Sequence, residues 1–158
     1  MLKADWICHD SQVKLSTKGE YGLLALVDLA LQGQDEPVQA ADIARRQGIP
    51  KQYLDQLLMI LKRSGLVSSV RGRRGGYRLS RPARLITLLE AITALEGPLV
   101  NQNFSRKPSR RQQPPAWAAL KAVWDEQVAD AGRAFGQRTL EEIAEASRDS
   151  EAAEMYYI

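Results

Sequence analysis

The chain has 158 residues, with 22 Lys+Arg against 19 Asp+Glu, a formal net charge of +3, one cysteine and one histidine. That length gives room for one domain plus a helical extension. The lone cysteine, Cys8, excludes an internal disulfide and any zinc site built from several cysteines. No apolar run is long enough to span a membrane or to form the core of a signal peptide, so the expected compartment is the cytoplasm, with no membrane partner. The charge is unevenly placed. Residues 1–84 carry 14 basic against 8 acidic side chains, and residues 85–158 carry 8 against 11. Between Lys62 and Arg84 stand 8 basic residues and no acidic one, which points to a polyanion for the N-terminal half.

Residues 1–12 show no periodicity and read as a tail. Thr17-Lys18-Gly19-Glu20 reads as a capping box, with Thr and Glu side chains satisfying free helix N–H groups. Leu23, Leu24, Leu26, Val27 and Leu31 follow at helical spacing until Gly33. After a short loop a second helix runs from about Ala40 to Arg46, with Ile43 and Ala44 inward. Gly48 supplies a tight turn, and Pro50 suits a helix start, where a missing N–H costs nothing. Leu54, Leu57, Leu58 and Leu61 then form one apolar stripe, while Lys51, Gln52, Asp55 and Gln56 lie off it. Helix, glycine turn, helix is the helix-turn-helix pattern, whose second helix offers its first side chains to base edges. An ordinary helical hairpin has the same pattern.

The segment after this second helix separates the two readings. Gly65 to Ser80 reads as a short strand, a turn holding Arg71, Gly72, Arg73, Arg74, Gly75 and Gly76, and a returning strand. Guanidinium groups at a hairpin tip face water or anions, and a wing of this kind grips phosphates and reaches a minor groove. Thr87-Leu88-Leu89-Glu90 is a second capping box, opening a helix that ends near Glu96-Gly97-Pro98. Residues 98–115 are rich in Pro, Gln, Asn, Ser and Arg and read as a flexible linker. From Pro114-Pro115 a long helix places Trp117, Leu120, Val123, Trp124 and Val128 on one stripe. Two tryptophans there exceed what one thin domain needs, so Trp117, Leu120, Trp124 and Val128 are assigned to a homodimer seam. Packing back on the chain's own domain is the alternative. Thr139-Leu140-Glu141-Glu142 is a third capping box, and the chain ends in the apolar run Met155-Tyr156-Tyr157-Ile158. The expected fold class is mainly α with a small β-hairpin wing: a winged helix-turn-helix plus a long dimerisation helix. The expected division is a tail (1–12), a winged domain (13–97), a linker (98–115), dimerisation helices (116–148) and a C-terminal tail (149–158).

Lys14 to Gly22, Tyr53-Leu54-Asp55-Gln56-Leu57, Gly65-Leu66-Val67, Gly75-Gly76-Tyr77 and Ala94-Leu95-Glu96-Gly97-Pro98 together resemble the Rrf-type bacterial transcription regulators (the IscR, NsrR and CymR group). The resemblance is dense over residues 14 to 98 and looser beyond, and family chains usually begin at the position of Val13. It implies a dimeric winged helix-turn-helix repressor or activator that binds double-stranded DNA, with repression the expected mode. It places recognition-helix contacts on Pro50, Lys51, Gln52 and Asp55, and the minor-groove arginine on Arg71, with Arg73 and Arg74 beside it. By chemistry, Gln52 suits adenine, Asp55 accepts from cytosine N4, and Lys51 reaches a phosphate or guanine. Iron–sulfur members carry three cysteines in the loop that corresponds to Leu99–Trp117, where this chain has none. No cofactor and no metal are therefore expected, and the chain resembles the cysteine-free, CymR-like branch. That likeness implies control of cysteine metabolism and a partner, cysteine synthase (O-acetylserine thiol-lyase), docked through Met155, Tyr156, Tyr157 and Ile158. A tail folded on its own dimer is the alternative.

Two other functions compete. One is a protein-binding module that regulates a partner enzyme through its isoleucine tail, with DNA affinity secondary. The other is catalysis, which the residues argue against. The sole histidine, His9, lies in the tail, no nucleophile–base set is evident, and no Gly-Lys-Ser/Thr follows the glycines of the hairpin, so they form no P-loop.

Overall fold

The computed structural model describes residues 15–33, 35–98 and 114–155, with side chains as far as residue 152. Helix α1 spans Thr17–Gln32 and is capped one residue earlier than the sequence suggests. The hydroxyl of Ser16, not Thr17, accepts from the Gly19 N–H (3.2 Å). The completing carboxylate comes from elsewhere in the chain: Glu96, at the end of helix α4 (Leu88–Glu96), accepts from the Ser16 N–H (3.2 Å) and from its hydroxyl. The local box fails because Gly19 and Gly22 leave that face of α1 bare, and Glu96 and Leu95 lie directly on it. A Cβ at either glycine would collide with them. The other two boxes form as expected. The Thr87 hydroxyl accepts from the Glu90 N–H (3.2 Å) and Glu90 accepts from the Thr87 N–H (3.0 Å). Thr139 and Glu142 repeat the exchange at 3.3 and 3.4 Å, opening helix α6, Leu140–Met155.

Helices α2 (Ala40–Gln47) and α3 (Lys51–Arg63) meet at Gly48, whose φ of 65° lies in the left-handed region that glycine adopts without a steric cost. Pro50 stands at the N-cap of α3. Leu54, Leu57, Leu58 and Leu61 of α3 are buried against Leu26 and Leu29 of α1, Ile43 of α2 and Leu95 of α4. Burying each such leucine is worth roughly 1.5–3 kcal/mol, and this is what fixes α3 in place.

Strands β1 (Val67–Val70) and β2 (Gly76–Leu79) form the antiparallel wing, with Val67 opposite Leu79 and Val70 opposite Gly76. Val67 and Leu79 are buried and seat the ribbon on the core. The outer edge of β2 is also paired. Val38 and Tyr77 exchange two backbone hydrogen bonds of 2.8 Å, so the residue at the start of the turn into α2 acts as a third, one-residue strand. Gly76 makes the approach possible, because a Cβ there would strike the Val38 carbonyl. A single bridging residue has no sequence period, and sequence reasoning missed it.

Helix α5 spans Pro115–Gly136 and contains no buried residue. Helix α6 turns back. Leu140 and Ala144 are buried in the winged domain's core, against α1 and the 3₁₀ turn Ala83–Leu85. The return is stitched by Leu88 N–H to Arg138 C=O (2.8 Å), Leu140 N–H to Ile86 C=O (3.0 Å), and Arg148 Nη2 to the Leu31 carbonyl (3.2 Å). The architecture is the expected one: mainly helical, with a two-stranded hairpin and a long separate helix. Apart from Pro98, Pro114 and Pro115, the linker lies outside the described residues, as do residues 1–14 and Tyr156, Tyr157 and Ile158.

Candidate nucleic-acid interface

The apolar stripe of α3 faces the core, so the opposite face faces solvent by necessity. Lys51, Gln52, Gln56 and Met59 are exposed on it, and Asp55 is half-buried. Four assigned positions, Pro50, Lys51, Gln52 and Asp55, thus stand together at the helix start. Two of them are bound to each other: Lys51 Nζ lies 2.8 Å from Asp55 Oδ2, one turn apart. Exposed pairs of this kind are worth only a few tenths of a kcal/mol, so a phosphate or a base can replace either partner at little cost.

At the other end of α3, Lys62 Nζ donates to the Ser69 hydroxyl of β1 (2.6 Å) and ties the helix to the wing. The wing turn tightens at Gly72 (φ 117°), where its carbonyl accepts from the Gly75 N–H (2.9 Å). Arg71, Arg73 and Arg74 are all exposed around it. Among the described residues these three arginines form no ion pair. They are not equivalent, however. Arg73 and Arg74 line an open cleft toward the α1–α2 connection, and Arg71 does not. Two further basic residues of the run are already engaged: Lys62 with Ser69, and Arg81 with Glu90 (2.5 Å).

One residue that sequence reasoning missed holds the helix-turn-helix to α1. Asp28 is 1% exposed and accepts from Arg46 Nε (2.9 Å), Arg46 Nη2 (2.6 Å) and Gln47 Nε2 (2.8 Å). Hydrogen bonding to this carboxylate, reinforced by its charge, raises Arg46 above its ordinary pKa against the opposing effect of burial. The clue in the sequence is an acidic residue inside an otherwise apolar helical stripe.

Of the stripe assigned to a dimer seam, Leu120 is 53% and Trp124 42% exposed, with Val123 beside them at 57%, while Trp117 and Val128 are intermediate. Within one chain α5 packs mainly against α4, and it places no buried residue in the core. Among the described residues no helix is long and apolar enough to cross a membrane.

The Rrf2 family, described as iron-dependent transcriptional regulators, matches residues 15–146. The HTH-type transcriptional regulator IscR of Xenorhabdus nematophila is 49% identical over 84 residues, covering 53% of this chain and 51% of that protein. The chain spans about half the length of the curated relatives it matches. Among solved structures, CymR, the global cysteine regulator of B. subtilis, aligns with a TM-score of 0.70 and 32% identity over 85% of this chain and 98% of that one. T. potens IscR aligns with a TM-score of 0.69 and 34% identity over 87% and 90%. The family's iron dependence meets a donor set that does not fit an iron–sulfur centre, which takes thiolate or imidazole ligands. The chain has one of each, Cys8 and His9, outside the described residues. Among the described residues no three His, Cys, Asp or Glu side chains converge.

Proposed function

Because the chain belongs to the Rrf2 family of transcriptional regulators, we propose that it is a DNA-binding repressor acting as a two-fold homodimer without an iron–sulfur cluster. The observation that carries this reading is the shared exposure, on one hydrophobic core, of the α3 N-terminal face and three wing arginines that form no ion pair among the described residues. Residues 13–97 form the reading head, and pairing through Trp117, Leu120, Trp124 and Val128 sets two α3 helices in successive major grooves, roughly 34 Å apart. In the complex Lys51 leaves Asp55 for a phosphate, freeing Asp55 to accept from a cytosine N4, and Gln52 reads an adjacent base. Arg71 enters the flanking minor groove, while Arg73 and Arg74 hold phosphates.

Selection of bound fragments from genomic DNA tests the reading. A two-fold symmetric site is expected, with binding that weakens steeply as salt rises. Arg71→Ala should cost about 1–3 kcal/mol and relax the preference for a narrow groove, while Arg74→Ala should lower the salt slope by about one. Equal affinity for every fragment would overturn the sequence-specific reading.

A finer reading draws on the CymR likeness together with the cysteine-free connection before α5: the regulated genes serve cysteine and sulfur metabolism. Cysteine synthase is the proposed partner, taken through the apolar segment Met155, Tyr156, Tyr157 and Ile158. Co-purification of the synthase with the intact chain, lost on deletion of Tyr157 and Ile158 with DNA binding retained, is the expected outcome. No association with the intact chain would refute it.

A further inference from the structure

Between the wing tip and the α1–α2 connection lies an open cleft of about 490 Å³. The Val38–Tyr77 bridge ties one wall to the other through two main-chain hydrogen bonds of 2.8 Å. Gly75 folds back onto the carbonyls of Val70 and Gly72 so closely that no Cβ fits, and this brings Arg73 and Arg74 round to one side. Glu36 lines the cleft with them, and the amides of Gln32 and Gln39 complete the rim. Two other charged lining residues are engaged by neighbours: Asp42 pairs with Arg45 (3.0 Å), and Arg46 with buried Asp28. Among the described residues, Arg73, Arg74 and Glu36 form no ion pair with one another or with any other side chain.

We infer that this cleft is a binding site for a small zwitterion of the α-amino-acid class, and that its occupant competes with DNA for the wing arginines. The volume falls within the range of small-molecule sites, roughly 300–1,000 Å³. Arg73 and Arg74 offer guanidinium donors that match a carboxylate, and Glu36 offers an acceptor for an ammonium group. A ligand with only negative charge meets repulsion from Glu36 and Asp42, and one with only positive charge meets it from the arginines. Both charges on one small molecule satisfy both walls. Competition arises because a guanidinium directed at a bound carboxylate is withdrawn from phosphate. The competition rests on the DNA-binding reading above, whereas the site itself does not.

Two measurements separate them. Isotope-labelled full-length protein without DNA is titrated with an equimolar pool of the proteinogenic L-amino acids, then with the N-acetylated pool, the methyl-ester pool, and sodium acetate. Backbone amide shifts at Glu36, Gln39 and Arg73 with the free amino acids alone are expected, abolished by Glu36→Gln and by Arg74→Gln. No shift, or equal shifts from acetate or the N-acetylated pool, overturns the site. Operator affinity is then measured with and without the free pool. Weakened binding, a log–log salt slope lower by up to about two, and loss of both effects in Glu36→Gln are expected. Amino-acid binding that leaves operator affinity unchanged overturns the competition. A protein that binds no DNA fragment at all fails the earlier reading and leaves the titration to decide the site.

Discussion

Replacing Asp28 by alanine removes a carboxylate that is 1% exposed and accepts three hydrogen bonds across the α1–α2 junction. Breaking a fully buried ion pair costs about 3–5 kcal/mol, because the surviving charge is left without a partner. Here the survivor, Arg46, keeps a third of its side chain in water (33%) and can rehydrate, so the cost falls toward about 2–3 kcal/mol. For a chain of 158 residues that corresponds to a melting temperature lower by about 4–12 °C. Urea unfolding followed by circular dichroism measures it, and the double cycle with Arg46→Ala isolates the pair, with a coupling of about 1.5–3 kcal/mol expected. The Asp28→Ala chain should also bind operator more weakly, although no DNA-facing side chain has changed, because the end of α2 next to the Gly48 turn loses its polar tie to α1. A coupling within about 0.5 kcal/mol of zero would refute the reasoning, since it would mean that Arg46 and Gln47 exchange Asp28 for water without loss.

The packing sets three further outcomes. Leu140→Ala should cost about 2–5 kcal/mol in urea unfolding, because Leu140 is fully buried in the winged domain's core. Leu120→Glu should leave the unfolding of a single chain nearly unchanged, since Leu120 is 53% exposed, yet shift sedimentation from dimer to monomer. Gly76→Ala should cost about 1–3 kcal/mol and expose the Tyr77 and Val38 amides to hydrogen exchange, because its methyl group collides with the Val38 carbonyl. Glu90 gives a pH dependence. The Thr87 N–H, helped by Arg81, holds its carboxyl below the ordinary 4.5. The folded chain therefore binds that proton less readily than the unfolded one. The stabilisation is complete above about pH 4.5 and is lost as pH falls through the lower, folded value. Glu90→Gln should flatten the acid limb of a stability–pH profile, and an unaltered limb would count against the cap as its source.

Legibility of the chain depends on the range of the interactions involved. Capping boxes are written in four consecutive residues, and Thr87–Glu90 and Thr139–Glu142 form as read. The leucine stripe of α3 and the arginine-tipped hairpin are likewise local patterns, and both elements fold where their spacing places them. Contacts between distant segments have no such signature. Ser16 takes its capping carboxylate from Glu96, eighty residues away, and Arg148 caps a carbonyl of α1 from the far end of the chain. Val38 joins the wing as a single residue, too short for any alternation to reveal. Lys51 and Asp55 are legible as positions on one helix face, but not their pairing, since flexible side chains at that spacing also reach outward. The arginines of the wing turn are legible as a group. Their division into one that avoids the cleft and two that line it depends on how Gly72 and Gly75 bend the turn.

The stitch between Ile86–Leu88 and Arg138–Leu140 gives α5 the mechanics of a cantilever. Its far end, Pro115, lies beyond the segment 99–113, while its root is clamped to the reading head by two main-chain hydrogen bonds. In the proposed homodimer, with two such beams side by side, the span between the heads would be set by the angle at that root rather than by any residue that meets DNA. A rotation of about six degrees there, carried along a beam of about 33 Å, displaces its far end by about the rise of a base pair. If the chain pairs on DNA as proposed above, operator length is set at Gln137 and Arg138, two polar surface residues that neither base readout nor core packing would single out.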